Sequence, residues 1–126
     1  MGYSKENTIV MWIDDKHLSI MTIKIAKELK LNVLEAEVES DLYGYPYFFA
    51  IIDSRKLDNS ILENLAEIYS SENPKRFGIL LTSECDFKIP STIKNLFVKP
   101  PNKITSEWLR TTIINRQHFI SRHRDN

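Results

Sequence analysis

At 126 residues, 42% hydrophobic and 27% charged, the chain is sized and composed for a single folded core rather than for a disordered or fibrous polymer. Its 17 Lys+Arg balance 17 Asp+Glu, so it lacks the basic excess of a phosphate-tracking nucleic-acid binder. Cys85 is the single cysteine, which excludes an internal disulfide or a Cys-rich metal site and fits a reducing cytosol. No apolar run approaches the roughly 18 residues that span a bilayer, and no signal-peptide pattern opens the sequence, so a cytoplasmic, membrane-free domain is expected.

Residues 8–13 (TIVMWI) are an unbroken apolar run that stops at Asp14-Asp15, the pattern of a strand buried on both faces. Leu18, Met21, Ile25 and Leu29 then recur at helical spacing, with Lys24, Lys27, Glu28 and Lys30 on the other side. A short strand is predicted over 33–36. Residues 47–52 (YFFAII) repeat the buried-strand pattern and end at Asp53. Ile61, Leu62, Leu65 and Ile68 mark a second amphipathic helix. Residues 77–81 (FGILL) and 96–98 (LFV) read as two more buried strands, ending at Thr82 and at Lys99-Pro100. A helix over 104–120, with Trp108, Leu109, Ile113 and Ile120 as its apolar face, closes the pattern.

Strands alternating with helices predict an α/β fold, a doubly wound, five-stranded parallel sheet of order 2-1-3-4-5, as one domain over 1–126. Two connections are short for a parallel crossover, which takes about a dozen residues or more. Residues 37–46 contain Gly44 and Pro46, and 83–94 contain Pro90. The second and fourth helices are therefore expected to be stunted.

Ligands of such folds bind outside the carboxyl ends of the strands. Here those ends carry Asp14, Asp15, Asp53, Thr82 and Lys99. Three carboxylates crowded together raise at least one pKa, and a hard divalent ion such as Mg²⁺ removes the conflict. On this reading the metal-free fold is strained by about 1–3 kcal/mol, and Asp53→Asn should raise its melting temperature. With the charge neutralised, one carboxylate can attack phosphorus and become an acyl phosphate. Lys99 and the Thr82 hydroxyl would steady the phosphoryl oxygens. Asp15 also reads as a helix N-cap, and Thr82 as a turn residue.

The ordered set Asp14-Asp15, Asp53, Thr82 and Lys99-Pro100, each at a strand end, resembles the receiver domain of bacterial two-component response regulators, and the resemblance runs from about Thr8 to the last helix. It implies that Asp53 accepts a phosphoryl group from a phosphohistidine on a histidine kinase or phosphotransfer protein. It implies that Asp14, Asp15, Asp53 and the Arg55 main-chain carbonyl hold Mg²⁺. Thr82 and Lys99 would contact the phosphoryl group, and the Lys99–Pro100 bond would be cis. Such a domain is no enzyme beyond its own phosphorylation and dephosphorylation. It would signal to a downstream protein, without nucleic acid or membrane as partner.

The sequence departs from that pattern in several places. The loop after Asp53 (SRKLDNS) lacks the usual apolar-Pro pair and glycine, Ser83 follows Thr82, and Leu96, with Phe97 next to it, stands where an aromatic switch residue is common. Arg55 and Glu84, of opposite charge, flank the site mouth and could pair across it. A second reading is a pseudo-receiver, an interaction module that signals without phosphorylation, but the complete acid–Thr–Lys set favours a phosphoacceptor. His17, His118 and His123 read as solvent-facing, and Trp12 and Trp108 as core.

Overall fold

Five parallel strands form one sheet of order 2-1-3-4-5 in the computed structural model, which describes residues 4, 6–71, 78–83, 93 and 95–123. The strands are β1 (Thr8–Trp12), β2 (Asn32–Glu35), β3 (Phe49–Ile52), β4 (Gly78–Leu81) and β5 (Leu96–Val98). The helices are α1 (Lys16–Glu28), α2 (Asn59–Ser71) and α3 (Ser106–His123). The expected fold class is the observed one.

Every residue of β1, β3 and β4 is buried, and the two-residue period of a strand divides them between two cores. Ile9, Phe49, Ile51 and Leu80 point to the face covered by α1 and α3, where they meet Leu18, Ile25, Leu109 and Ile113. Val10, Trp12, Ala50, Ile52, Ile79 and Leu81 point to the face covered by α2, where they meet Leu62 and Leu65. An Arg110–Glu28 ion pair ties α3 to α1. No described helix is long and apolar enough to cross a membrane.

The connection from β2 to β3 contains only the 3₁₀ turn Glu39–Leu42, as its Gly and Pro content predicts. Leu42 fills part of the helix's usual place in the core. The Tyr47 hydroxyl donates to the Leu42 carbonyl at 3.0 Å, and burial raises the Tyr47 pKa. Most of the fourth connection, 84–92 and 94, lies outside the described residues, and the expected stunting there lies with it.

Two expectations need correction. β5 is not buried on both faces: Phe97 is 38% exposed and Val98 42%. An apolar run does not distinguish a central strand from an edge strand, and β5 sits at the end of the sheet. The Lys99–Pro100 bond is trans, with no cis bond among the described residues. Pro100 continues the chain at φ −66°, ψ 149° into the 3₁₀ turn Pro101–Lys103, and the trans isomer, favoured at X-Pro bonds by about 0.5–1 kcal/mol, accommodates that path.

Two residues past the end of α1, Lys30 stands at φ 58°, followed by a Leu31 N–H that donates back to the Ala26 carbonyl at 2.8 Å. A left-handed residue closing a helix in this way is normally glycine, because a Cβ is strained there. Lys30→Gly is therefore expected to stabilise the fold by about 0.5–1 kcal/mol, read as a higher denaturant midpoint. A lower midpoint would show that the lysine side chain contributes more than its backbone strain costs.

Candidate functional site

The ends of β1, β3, β4 and β5 are laced together by backbone bonds that continue the sheet one residue past each strand. Asp53 N–H donates to the Trp12 carbonyl at 2.9 Å, Thr82 N–H to Ile52 at 3.1 Å, and Lys99 N–H to Leu81 at 2.9 Å. This lacing fixes Asp53, Thr82 and Lys99 side by side along one rim, next to the segment that carries Asp14 and Asp15. Asp53 and Thr82 are buried, whereas Asp14 is exposed and Asp15 and Lys99 are half-buried.

Each acid already has a partner. Asp15 caps α1: its Oδ1 accepts the Leu18 N–H at 2.7 Å, which is the plainer of the two roles its position allows. Asp53 begins the 3₁₀ turn Ser54–Lys56, and its Oδ1 accepts the Arg55 N–H at 3.0 Å. The Arg55 side chain then folds back onto the same carboxylate, Nε to Oδ1 at 3.1 Å and Nη2 to Oδ2 at 2.7 Å. Lys56, the next residue, places Nζ 3.0 Å from Asp14 Oδ1 and 5.8 Å from the centre of the Trp12 ring. One short turn thus delivers two cations to two carboxylates.

This pairing overturns the expected electrostatics. Asp53 is held below its ordinary value of 3.8, chiefly by the hydrogen bonds from the Arg55 side chain, against the opposing effect of burial. Arg55 is shifted up by the same contact. Crowding of like charges fails as an account because Arg55 and Lys56 neutralise two of the three acids. A depressed carboxylate contributes stability that is full above pH about 3.8 and is lost as the pH falls through its lower folded value. Asp53→Asn should therefore lower the melting temperature in chelator, but only slightly, because solvent screens a contact made by an exposed arginine. The difference from wild type should shrink below pH 3.8. In an Arg55→Gln, Lys56→Gln background the sign should reverse, because crowding returns. The same sign in both backgrounds would show that the four charges are not coupled.

Lys99, expected to face the phosphoryl group, instead has its Nζ 4.4 Å from the centre of the Trp108 ring. Trp108 also packs edge-on against Phe97, ring centres 5.9 Å apart, so it is half-buried and less a core residue than expected. Arg55 is committed to Asp53, and Glu84, its expected partner across the mouth, lies outside the described residues, as does Cys85. Sequence reasoning missed two side chains. Lys56 was signalled only by its charge in the turn after Asp53. Ser54 is buried, with its Oγ donating to the Ser83 carbonyl and accepting the Ser83 N–H at 3.3 Å, so it ties the loop after β3 to the loop after β4.

Among the described residues no group of three or more His, Cys, Asp or Glu side chains is gathered for a metal ion. The donor set nevertheless suits a hard divalent ion in kind: Asp14, Asp15 and Asp53 offer only oxygen, from neighbouring strand ends. Gathering them means parting Asp53 from Arg55, whose side chain is 79% exposed, and Asp14 from Lys56. No protein-family model and no curated protein sequence matches the chain.

Proposed function

We propose that this chain is a receiver-like phosphoacceptor domain of two-component signalling, with Asp53 as the acceptor and a phosphohistidine on a histidine kinase or phosphotransfer protein as the donor. The observation that carries the reading is the buried Asp53 carboxylate at the carboxyl end of central β3, where the Asp53 N–H bonds to Trp12 of β1 and the Thr82 N–H to Ile52, the residue before Asp53. In the transfer, an Asp53 carboxylate oxygen forms a bond to phosphorus as the donor's P–N bond breaks. The electron pair leaves with the imidazole nitrogen, which takes up a proton. The protein's share is positioning and charge neutralisation. The Thr82 hydroxyl donates to one phosphoryl oxygen, and Lys99 leaves Trp108 to meet another. Asp14, Asp15, Asp53 and the Arg55 main-chain carbonyl would hold Mg²⁺, which when bound would supply positive charge to the site. The output is a change in binding to a downstream protein in the cytoplasm.

A pseudo-receiver is the second reading, favoured by one observation: Arg55 occupies both oxygens of the acceptor. Intact-mass measurement after incubation with acetyl phosphate separates the two. A phosphoacceptor gains one phosphoryl group, which hydroxylamine removes as expected of an acyl phosphate. A chain that gains none, with or without Mg²⁺, is a pseudo-receiver.

The position of Lys99 supplies an optical prediction. Beryllofluoride, an acyl-phosphate mimic, should draw Lys99 off the indole and shift Trp108 emission in a Trp12→Phe protein. Lys99→Met should abolish the response. An unchanged spectrum in a protein shown to bind beryllofluoride would mean that Lys99 stays on Trp108.

A further inference from the structure

The cation that a receiver takes from solvent has a rival within this chain. We propose that Arg55, with Lys56 beside it, is a built-in counter-cation that competes with a divalent ion for the strand-end carboxylates, so that Asp53 opens to metal and phosphoryl donor only when Arg55 is drawn away. The inference rests on the phosphoacceptor reading and adds the regulation of that site.

Three features of the geometry carry it. First, the contact is two-pronged, Nε on Oδ1 at 3.1 Å and Nη2 on Oδ2 at 2.7 Å, so it engages both oxygens that a nucleophile or a metal ligand would use. A guanidinium keeps its charge at every physiological pH, so the contact is not undone by proton uptake on arginine. Second, the Arg55 side chain is 79% exposed while the carboxylate it covers is 6% exposed. Arg55 is therefore held from one side only, and it can leave without disturbing the core. The Arg55 main-chain N–H, 3.0 Å from Oδ1, belongs to the turn itself and keeps Asp53 aimed after the side chain departs. Third, the next residue repeats the arrangement, with Lys56 Nζ 3.0 Å from Asp14. Asp14 and Asp53, two of the acids expected to share an ion, thus each carry a cation from consecutive residues of the turn Ser54–Lys56.

A partner that offers Arg55 a carboxylate of its own would open the site, and this makes Arg55 a positioning residue that acts through Asp53. The test uses Mg²⁺ itself as the probe. Isothermal titration calorimetry on the full chain reports affinity, and Trp12 emission, read in a Trp108→Phe protein, reports release of the adjacent Lys56. Arg55→Gln should bind Mg²⁺ about tenfold more tightly than wild type, Arg55→Lys should fall between them, and Lys56→Gln should gain a smaller factor. At a fixed Mg²⁺ concentration below saturation, Arg55→Gln should also take up phosphoryl groups from acetyl phosphate faster. An Arg55→Gln affinity equal to or weaker than wild type overturns the proposal, as does a chain that binds no Mg²⁺ in any variant. Tighter Mg²⁺ binding without phosphoryl uptake upholds the competition and defeats the phosphoacceptor reading, so the two failures are told apart.

Discussion

Replacing Asp53 by Asn is expected to abolish phosphoryl uptake completely. The substitution keeps the shape of the side chain and one carbonyl oxygen, which can still accept the Arg55 N–H that now bonds to Oδ1. It removes the anionic oxygen that, on the proposed reading, would attack phosphorus, and an amide does not form an acyl phosphate in its place. Because the variant loses only one charge-assisted contact, on an exposed arginine, it should remain folded. Loss of uptake then reports chemistry rather than unfolding. Asp14→Asn should slow uptake without eliminating it, since on the proposed reading Asp14 would only help to assemble charge around the acceptor. Intact-mass analysis after acetyl phosphate treatment, with peptide mapping, decides the matter. Uptake that persists in Asp53→Asn, or that maps to Asp14 or Asp15, would move the acceptor off β3.

The second large effect is on stability. Phe49 is fully buried on a central strand, and its ring lies over Gly78, where an added Cβ would stand 3.2 Å from Phe49 Cδ1. A second ring, that of Phe97, lies at 6.5 Å between centres. Phe49→Ala leaves a hole that the surrounding sheet cannot close, because β1 and β4 are fixed in register on either side. The expected cost is about 3–5 kcal/mol, a drop of roughly 10–20 °C in melting temperature for a domain of this size. That is a large part of the roughly 5–15 kcal/mol that holds a domain folded. Ile20→Ala provides the control: Ile20 is 66% exposed, and its loss should change little. Equal melting temperatures for Phe49→Ala and Ile20→Ala would contradict the packing described for β3.

The strand ends were legible because buried parallel strands are uniformly apolar and stop where polarity begins. TIVMWI gives way to Asp14-Asp15, and YFFAII to Asp53, so the strands and their rim residues follow from one-dimensional pattern, and the sheet order from the doubly wound architecture that alternating strands and helices fit. The same logic misjudged β5, because Leu96-Phe97-Val98 is as apolar as a central strand yet has a neighbour on one side only. It also misjudged the charges. The pattern makes Asp14, Asp15 and Asp53 neighbours of one another, whereas in the structure each is satisfied locally, by a helix N-terminus or by a residue of the turn Ser54–Lys56. Whether an exposed arginine turns outward or back depends on the path of that turn, and no periodicity encodes it. Lys99 illustrates a third limit. Its aromatic partner Trp108 comes from α3, and only the packing of α3 against the sheet brings the indole under the ammonium.

The even balance of charge in the two ion pairs at the rim also bears on encounter kinetics. Asp14 and Asp53 against Arg55 and Lys56 sum to zero within one cluster, so beyond a Debye length of about 8–10 Å the quartet projects little field. A donor protein of the kind proposed would be neither drawn in nor pushed away by those four groups, and its association should proceed near the unsteered rate of about 10⁵–10⁶ M⁻¹s⁻¹. Added salt should then change that rate far less than it changes the association of oppositely charged partners. Arg55→Gln would leave the cluster with a net negative charge and give the encounter a salt dependence that the intact quartet suppresses.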